Sequence, residues 1–336
     1  MPSLAHPMLS LVIPVYNNEE SLPRLLREVG ELAPKMPGGL EVVFVVDGSP
    51  DGSLAFLRKQ LPTWGVPSQL IELSRNFGSF AAIAAGLRQG NGEFFAVISA
   101  DLQEPPALAL TFQEILAAGT ADVVLGTRAR RADPWLSQAV SGVFWSLYRR
   151  FVLPEMPRGG VDVFGCTRAV RDQLVQLREA NTNLVALLLW LGFRRQWVPY
   201  DRRPRQEGRS GWTFAKRWRY ALDSVFSFTD LPVRLLLLLG SVATIGAVVA
   251  AIAVLVFWWM GQIPVLGYTP LMLAVTAFGG ITALGLGIVG QYLWLTLQNS
   301  RSRPSFVVRS VERYGARADA AGEADRYRLT SARNSS

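Results

Sequence analysis

Three side chains that carry oxygen atoms stand two residues apart in one short segment: Ser99, Asp101 and Gln103. In an extended backbone, residues at that spacing lie on the same side. Oxygen ligands so arranged suit Mg²⁺ or Mn²⁺, which proteins usually hold with one or two carboxylates while phosphate oxygens complete the shell. The segment therefore predicts a divalent-metal site. Taken alone, it is equally compatible with a turn that binds nothing.

Two other polar loops could contribute to a site. Residues 14–19, Pro-Val-Tyr-Asn-Asn-Glu, offer two asparagines as caps for a following helix, and the glutamate suits the positive end of that helix. Residues 47–52, Asp-Gly-Ser-Pro-Asp-Gly, form a tight turn that begins with the Asp47 carboxylate. The single histidine, His6, lies close to the N-terminus. Carboxylates are therefore the main candidates for any general base.

A scaffold that brings these loops together is indicated by alternating strand-like and helix-like segments. Runs rich in β-branched and aromatic residues predict strands at Leu9–Val15, Glu41–Val46, Gln69–Leu73, Phe94–Ile98 and Asp122–Leu125. Helical patterns lie between them at Ser21–Leu32, Ser53–Leu61, Ser79–Arg88 and Pro106–Ala118. The alternation predicts an α/β fold with a parallel sheet covered on both faces, whose ligands bind at the carboxyl ends of the strands. We therefore expect the three loops to share that edge.

Two uncharged apolar stretches follow, Leu235–Met260 and Leu271–Leu297. Each is longer than the ~20 residues that an α-helix needs to span a bilayer core. The short connection between them predicts a transmembrane hairpin with both hydrophilic ends on one side; the alternative is a pair of buried core helices. By the positive-inside rule, that side is the cytoplasm. The flanking basic residues on which this rests are Lys216, Arg217, Arg219, Arg234, Arg301 and Arg303.

The charge balance is basic, with a formal net charge of +8 over 336 residues. Such a balance could indicate nucleic acid, but many basic residues flank the apolar stretches or lie in two short loops, at 128–131 and 202–209. That clustering favours phosphates and anionic lipid headgroups, and no nucleic acid is expected as a partner. The single cysteine, Cys166, excludes an intramolecular disulfide and a cysteine-rich zinc site.

Four segments taken together resemble a known family: IPVYNNEESL, VVDGSPDGS, LSRNFGSFAAIAAGL and SADLQEPP. They are similar to the inverting glycosyltransferases of family two, which have the GT-A fold. They most resemble the branch of dolichol-phosphate mannose synthase and the bacterial polyprenyl-phosphate glycosyltransferases of the GtrB type. The likeness runs from about Leu9 to Arg234 and continues into a two-helix C-terminal anchor. It implies a GT-A (Rossmann-like) nucleotide-sugar-binding domain at 1–200, a basic loop and interfacial helix at 201–234, a transmembrane hairpin at 235–297 and a cytoplasmic basic tail at 298–336.

The resemblance also implies how the donor is bound. The position of Asp47 contacts the nucleoside in that family, the opening loop walls the base and ribose, and an arginine loop meets the diphosphate; a solvated basic loop is the alternative for those arginines. The implied donor-binding residues are Pro14, Tyr16, Glu19, Asp47, Ser49, Asp101, Arg128 and Arg131.

The family's Asp-Ala-Asp metal motif falls on Ser99-Ala100-Asp101, with Gln103 as a further ligand of Mg²⁺ or Mn²⁺. Ser99 departs from that pattern. A hydroxyl is an uncharged and poorer ligand, so one firm carboxylate remains, with Glu104 nearby.

Catalysis and acceptor binding are implied for further positions. Asp162 lies at the position of the family's proposed catalytic aspartate, although it could serve to position arginines instead, and Arg128 would act on the leaving group. The lipid phosphate would meet a second basic loop. The implied contacts are Arg202, Arg203, Arg205 and Ser210.

Together these features predict an inner-membrane, multi-pass glycosyltransferase with a cytoplasmic catalytic domain. It would move a sugar, with UDP as the expected carrier, to a polyprenyl phosphate such as undecaprenyl phosphate, for modification of a cell-envelope glycan. A small-residue stripe at Gly279, Ala283 and Gly287 permits close helix contact, within the hairpin or in a homo-oligomer, and we expect the latter. Two alternatives remain: a polysaccharide synthase, disfavoured because the chain lacks a Gln-x-x-Arg-Trp motif, and a silent binding scaffold, which Ser99 keeps open.

Overall fold

The computed structural model describes residues 8–128, 161, 163–177, 184–203, 268–300 and 304–315, with separate residues between 236 and 260. These fall into two units. The first contains the described residues up to 203 and those at 304–315, and the second contains the described residues from 236 to 300.

The first unit is built on a mixed eight-stranded sheet. Its strands are β1 (Leu9–Val15), β2 (Leu40–Val46), β3 (Ser68–Leu73), β4 (Phe94–Val97), β5 (Val123–Arg128), β6 (Phe164–Thr167), β7 (Arg195–Tyr200) and β8 (Val308–Tyr314). They lie side by side in the order β7-β5-β6-β4-β1-β2-β3-β8. The loops after β4, β1 and β2 are therefore neighbours at one edge of the sheet.

Helices cover the sheet and follow the predicted pattern. They are α1 (Leu22–Leu32), α2 (Ser53–Gln60), α3 (Ser79–Gln89), α4 (Leu108–Ala117), α5 (Arg168–Gln176) and α6 (Leu184–Trp190) in the first unit, and α7 (Tyr268–Ser300) in the second. Short 3₁₀ turns at Ala33–Lys35 and Leu61–Thr63 follow α1 and α2. All the strands and helices predicted between residues 9 and 125 are present, and the largest difference is at β5, which continues to Arg128. The interfacial helix predicted within 201–234 lies outside the described residues.

The core forms because β1 and β2 are apolar along their lengths, which is typical of parallel strands covered on both faces. Nearly every side chain of these two strands is buried. From one face, α1 contributes Leu22, Leu25 and Val29 to the core. Helix α3 approaches the sheet closely at Gly86, where an added Cβ would lie 2.3 Å from Val12 Cγ1. This packing fixes the strand ends from which the polar loops emerge.

The expectation of an all-parallel sheet is wrong for two strands. Strand β6 lies between β4 and β5 and is antiparallel to both. Strand β8 is antiparallel to β3 and begins its pairing with Tyr314 opposite Ser68. It comes from the segment predicted as a basic tail, and it covers backbone N–H and C=O groups that β3 would otherwise expose at the edge of the sheet.

In the second unit, Gly285 of α7 faces Leu236, since an added Cβ would lie 3.2 Å from Leu236 Cδ1. At Gly279 and Gly287 an added Cβ meets no described atom within 4 Å. The described contact between these helical segments therefore uses Gly285. The predicted stripe of Gly279, Ala283 and Gly287 stays a prediction. Among the described residues, no helix has both the length and the apolar character that a membrane span requires. The transmembrane hairpin stays a prediction.

Candidate active site

The loops that follow β1 and β2 are held together by hydrogen bonds. The backbone N–H of Asn17 donates to Ser49 Oγ at 2.8 Å, and that of Glu19 donates to Asp51 Oδ2 at 3.0 Å. In return, the backbone N–H of Gly52 donates to Glu19 Oε2 at 2.8 Å. Two predicted donor-binding residues, Ser49 and Glu19, thus fix one loop against the other. Their predicted contacts with a nucleotide remain predictions.

Asp51 organises the start of α2. Its carboxylate accepts the Ser49 and Ser53 hydroxyl groups at 2.5 and 2.9 Å and the backbone N–H of Ser53 at 3.2 Å. Burial acts to raise the pKa of Asp51, but these hydrogen bonds and that from the Glu19 backbone outweigh it and hold the pKa below its ordinary value. The carboxylate is therefore a structural acceptor for the loop.

Asp47 is buried at the carboxyl end of β2, with 3% of its surface exposed. Its two oxygens accept the backbone N–H groups of Phe77 and Gly78 at 2.7 and 2.8 Å. Burial raises the pKa of Asp47, against the opposing effect of these bonds and of the Arg75 charge. Asp47 thus fastens the loop that leads into α3, where Gly78 takes a φ of 99° that disfavours other residues.

The predicted metal loop brings two carboxylates to one hydroxyl group. Ser99 Oγ lies 2.7 Å from Asp101 Oδ1 and also within hydrogen-bond distance of Glu104 Oε2. A hydroxyl has one proton, so it can donate to only one of them at a time. Glu104 is 1% exposed, and its place beside Ser99 could be found in the sequence only as a carboxylate close by. A second carboxylate, three residues after Asp101, thus lies beside Ser99.

The shape of this loop also depends on its backbone. Leu102 has a φ of 55°, a conformation uncommon outside glycine. The backbone N–H of Gln103 donates to Asp101 Oδ1 at 3.3 Å, and Ser21 Oγ donates to the carbonyl of Ala100 at 2.9 Å, which ties the loop to the start of α1.

The oxygen donors of this loop fit a hard divalent cation. They are one hydroxyl, one carboxamide and two carboxylates, from Ser99, Gln103, Asp101 and Glu104. Within the described ranges there is no group of three or more His, Cys, Asp or Glu residues arranged for a metal. Phosphate oxygens of a bound substrate would have to complete the shell, as they usually do for Mg²⁺.

Two arginines that follow β7 contact this loop and α1. Arg202 Nη2 donates to Gln103 Oε1, and its Nε lies 3.9 Å from Glu104 Oε1. The backbone N–H of Arg203 donates to the Gln103 carbonyl at 2.9 Å, and its Nη1 donates to Glu28 Oε2 at 2.7 Å. These contacts were not predicted from the sequence, since the family resemblance implies a lipid phosphate as the partner of both arginines. That role remains a prediction.

The pKa of Glu28 reflects its contacts with Arg203 and Arg24. Burial acts to raise its pKa, but hydrogen bonds and charge from Arg203 and Arg24 outweigh burial and hold the pKa of Glu28 below its ordinary value.

The remaining predicted residues lie at the same edge or outside the described residues. Pro14 is in β1 and Tyr16 follows it, with 45% of its side chain exposed. Arg128 ends β5 and is half-buried. Four of the predicted positions lie outside the described residues: Arg131, Asp162, Arg205 and Ser210.

Residues 10–177 match the family model described as Glycosyl transferase family 2. The chain belongs to glycosyl transferase family 2. The match contains every loop of the described cluster except the two arginines after β7. The predicted family is therefore confirmed, and the first unit of the chain is a mixed sheet covered by helices.

Relatives extend this similarity over most of the chain. An uncharacterized glycosyltransferase, sll0501, of Synechocystis sp. is 32% identical over 89% of this chain and 94% of its own. A putative glycosyltransferase, CsbB, of Bacillus subtilis is 30% identical over 90% of this chain and 92% of its own. A bactoprenol glucosyl transferase of Shigella phage SfV is 30% identical over 90% of this chain and 98% of its own.

Proposed function

We propose that this glycosyltransferase moves a sugar from a nucleotide sugar, with UDP as the expected carrier, to a polyprenyl phosphate such as undecaprenyl phosphate. The observation that carries the proposal is the metal loop of Ser99, Asp101, Gln103 and Glu104 beside the basic segment after β7. The metal loop suits a cation bound to a diphosphate, and the basic segment supplies fixed positive charge. The relative from phage SfV, named a bactoprenol glucosyl transferase, supports a polyprenyl acceptor.

A divalent cation, Mg²⁺ or Mn²⁺, would be held by Asp101 and Gln103, with Ser99 and Glu104 beside them. Bound there, it would offset charge on the diphosphate leaving group, which is commonly worth several kcal/mol. The protein's own contribution is to hold the loop that carries these oxygens, because the backbone of Leu102 shapes it and the hydrogen bond from Ser21 to Ala100 ties it to the start of α1.

The reaction proposed is a direct displacement. A phosphate oxygen of the acceptor attacks the anomeric carbon from the face opposite the diphosphate, the bond to the diphosphate breaks, and the nucleoside diphosphate leaves with the bonding electrons. Inversion at the anomeric carbon follows. Because the acceptor phosphate is already anionic near neutral pH, little proton removal is needed. In this proposal Asp162 orients the acceptor or the arginines, and Arg128 and Arg131 offset the charge on the leaving group.

Acceptor binding is assigned to the second basic loop, with Arg202, Arg203, Arg205 and Ser210 near the lipid phosphate. The stretches 235–260 and 271–297 would anchor the chain in the inner membrane, with the catalytic domain in the cytoplasm. Strand β8 supports an even number of crossings, because the chain leaves the sheet after β7 and returns to pair with β3. Both hydrophilic flanks of the apolar region thus belong to one unit. A homo-oligomer is also part of the proposal.

The test is transfer by the purified full-length chain. A set of radiolabelled nucleotide sugars would be incubated with undecaprenyl phosphate and Mn²⁺ or Mg²⁺, with a chelator-treated sample as the control. We expect one donor to give a charged glycolipid that is extracted into organic solvent and has an inverted anomeric linkage. A water-soluble polymer as the sole product would favour a polysaccharide synthase instead.

One observation favours a second candidate, a nucleotide-sugar or lipid-phosphate binding scaffold without turnover. Ser99 stands where the family's motif has a carboxylate, which weakens the predicted metal site. Binding of the donor with no transfer and no hydrolysis, for every nucleotide sugar in the set, would support this candidate and reject the enzyme.

A further inference from the structure

The contacts of Arg202 place a fixed positive charge on the oxygens that would bind the metal. Its Nη2 donates to Gln103 Oε1, the oxygen assigned to the cation, and its Nε lies 3.9 Å from Glu104 Oε1. Glu104 is buried, so water screens this charge poorly. The guanidinium cannot lose its proton near neutral pH.

A divalent cation and this guanidinium are therefore alternatives at the loop. Two positive charges this close repel each other, and they do so more strongly at a partly buried position than in water. The side-chain oxygen of Gln103 would have to serve both at once. A cation that binds Gln103 must therefore displace Arg202 or bind less tightly because of it.

Displacement of Arg202 is possible because the segment after β7 is also attached to α1 at a second, separate point. The side chain of Arg203 is bound to Glu28 on α1 at 2.7 Å, away from the metal loop, and Glu28 is also bound by Arg24 at 2.9 Å. The attachment to the metal loop consists of the hydrogen bonds that the Arg202 side chain and the Arg203 backbone N–H donate to Gln103. The Arg203–Glu28 pair can thus hold the segment while Arg202 leaves.

We propose that Arg202 is a positioning residue that occupies the metal loop in the donor-free protein and is released when a divalent cation and a nucleoside diphosphate bind. The released guanidinium then becomes available to an acceptor phosphate. This step rests on the proposed function, because it takes a phosphate-bearing acceptor as the second substrate. The consequence is an order of binding: donor and cation first, acceptor second.

The test is Mn²⁺ binding in the absence of nucleotide, measured by electron paramagnetic resonance of free Mn²⁺. Arg202→Gln should bind Mn²⁺ about fivefold or more tightly than the unchanged chain, since it removes the competing charge. The control is Arg194→Gln, which removes the same charge from an exposed pair with Asp122 remote from the loop. It should leave Mn²⁺ affinity unchanged. Equal or weaker binding by Arg202→Gln would overturn the proposal.

A second measurement needs no variant. In the unchanged chain, hydrogen exchange at the backbone N–H of Arg203, which is bonded to the Gln103 carbonyl, should speed up when Mn²⁺ and UDP are added together. No change or slower exchange would overturn the release step. Either negative result can stand beside normal transfer to undecaprenyl phosphate, so failure of this inference is distinguishable from failure of the proposed function.

Discussion

The two ends of β2 each carry a buried carboxylate, and the protein satisfies them differently. At the amino end, Glu41 accepts the Ser10 hydroxyl and the Gln69 carboxamide at 2.7 Å, and the backbone and side-chain N–H groups of Asn91 at 2.9 Å. Ser10 in turn accepts the backbone N–H of Gly92 at 2.8 Å. The Glu41 carboxylate is thus surrounded by donors from other strands and from the turn before β4.

At the carboxyl end of β2, the carboxylates are bound by groups from nearby loops. Asp47 is bound by two backbone N–H groups of a single loop. In the neighbouring loop after β4, the one proton of Ser99 serves both Asp101 and Glu104, and a long arginine side chain from another segment provides further positive charge.

Burial alone therefore does not separate a structural carboxylate from a functional one. Glu41 and Glu104 are both buried. Glu41 is bound by donors that the sheet fixes in place, and losing it should cost stability. Among the described contacts, Glu104 lies beside the Ser99 hydroxyl and 3.9 Å from Arg202 Nε, and its loop is the one that we propose serves chemistry. The donors, more than the acceptors, distinguish the two ends.

The largest effect is expected for Asp101→Ala. We expect transfer to fall by about a thousandfold, because several kcal/mol of charge stabilisation is lost with the cation, while the thermal unfolding midpoint stays close to that of the unchanged chain. Initial rates with labelled donor and circular-dichroism melting would measure both. Ser99→Asp is the matching gain: it should keep transfer and lower the metal concentration required. Full activity of Asp101→Ala in chelator-treated buffer would reject the site.

The next largest effect is expected for Glu41→Ala. The change removes the acceptor for Ser10, Gln69 and Asn91, and each buried donor left without a partner costs about 1–3 kcal/mol. We expect the free energy of unfolding in urea to fall by about 3 kcal/mol. The control is Glu93→Ala, whose side chain is 60% exposed and, among the described residues, forms a long ion pair with Arg168 at 3.6 Å. Equal urea midpoints for the two variants would contradict the structural role of Glu41.

A smaller effect is expected for Asp51→Asn, in the pH dependence of stability. The folded-state pKa of Asp51 lies below its ordinary value, so the charged carboxylate stabilises the fold above about pH 4 and this contribution is lost as the pH falls further. The variant should be less stable by about 1 kcal/mol at neutral pH, as for a lost helix cap. Its stability should also fall less steeply in acid. Urea unfolding between pH 7 and pH 2 would measure this, and parallel curves would count against it.

Much of the first unit could be predicted from the sequence, because its strands are buried on both faces and bounded by polar turns. Strand β1 has the predicted bounds, Leu9–Val15. The clustering of the loops after β1, β2 and β4 followed from the rule that ligands bind at the carboxyl ends of parallel strands.

Three strands were not predicted, and each has a physical reason. Strand β7 contains a proline, which weakens a strand pattern. Strand β6 is four residues long and contains a glycine and a cysteine, which gives a weak strand pattern. Strand β8 mixes charged, polar and apolar residues without a regular alternation, and it pairs with β3 from far along the chain. Local patterns carry no information about such distant pairing, and the composition of the segment indicates only a basic tail.

The site was predictable in its oxygen ligands and not in its arginines. Ser99, Asp101 and Gln103 stand out because their spacing is local. The contacts of Arg202 with Gln103 and of Arg203 with Glu28 join segments far apart in the sequence, and a basic loop that binds phosphate has the same composition as one that binds carboxylates.

The most direct test of the account places the two ends of the sheet side by side in isosteric variants. Transfer rate per folded molecule and urea unfolding midpoint would be measured for Asp101→Asn and Glu41→Gln under the same conditions. We expect Asp101→Asn to lose at least about a hundredfold in transfer rate, with its urea unfolding midpoint unchanged. Glu41→Gln should lose stability and keep its rate per folded molecule. A full transfer rate for Asp101→Asn, or a large loss of rate for folded Glu41→Gln, would contradict the account.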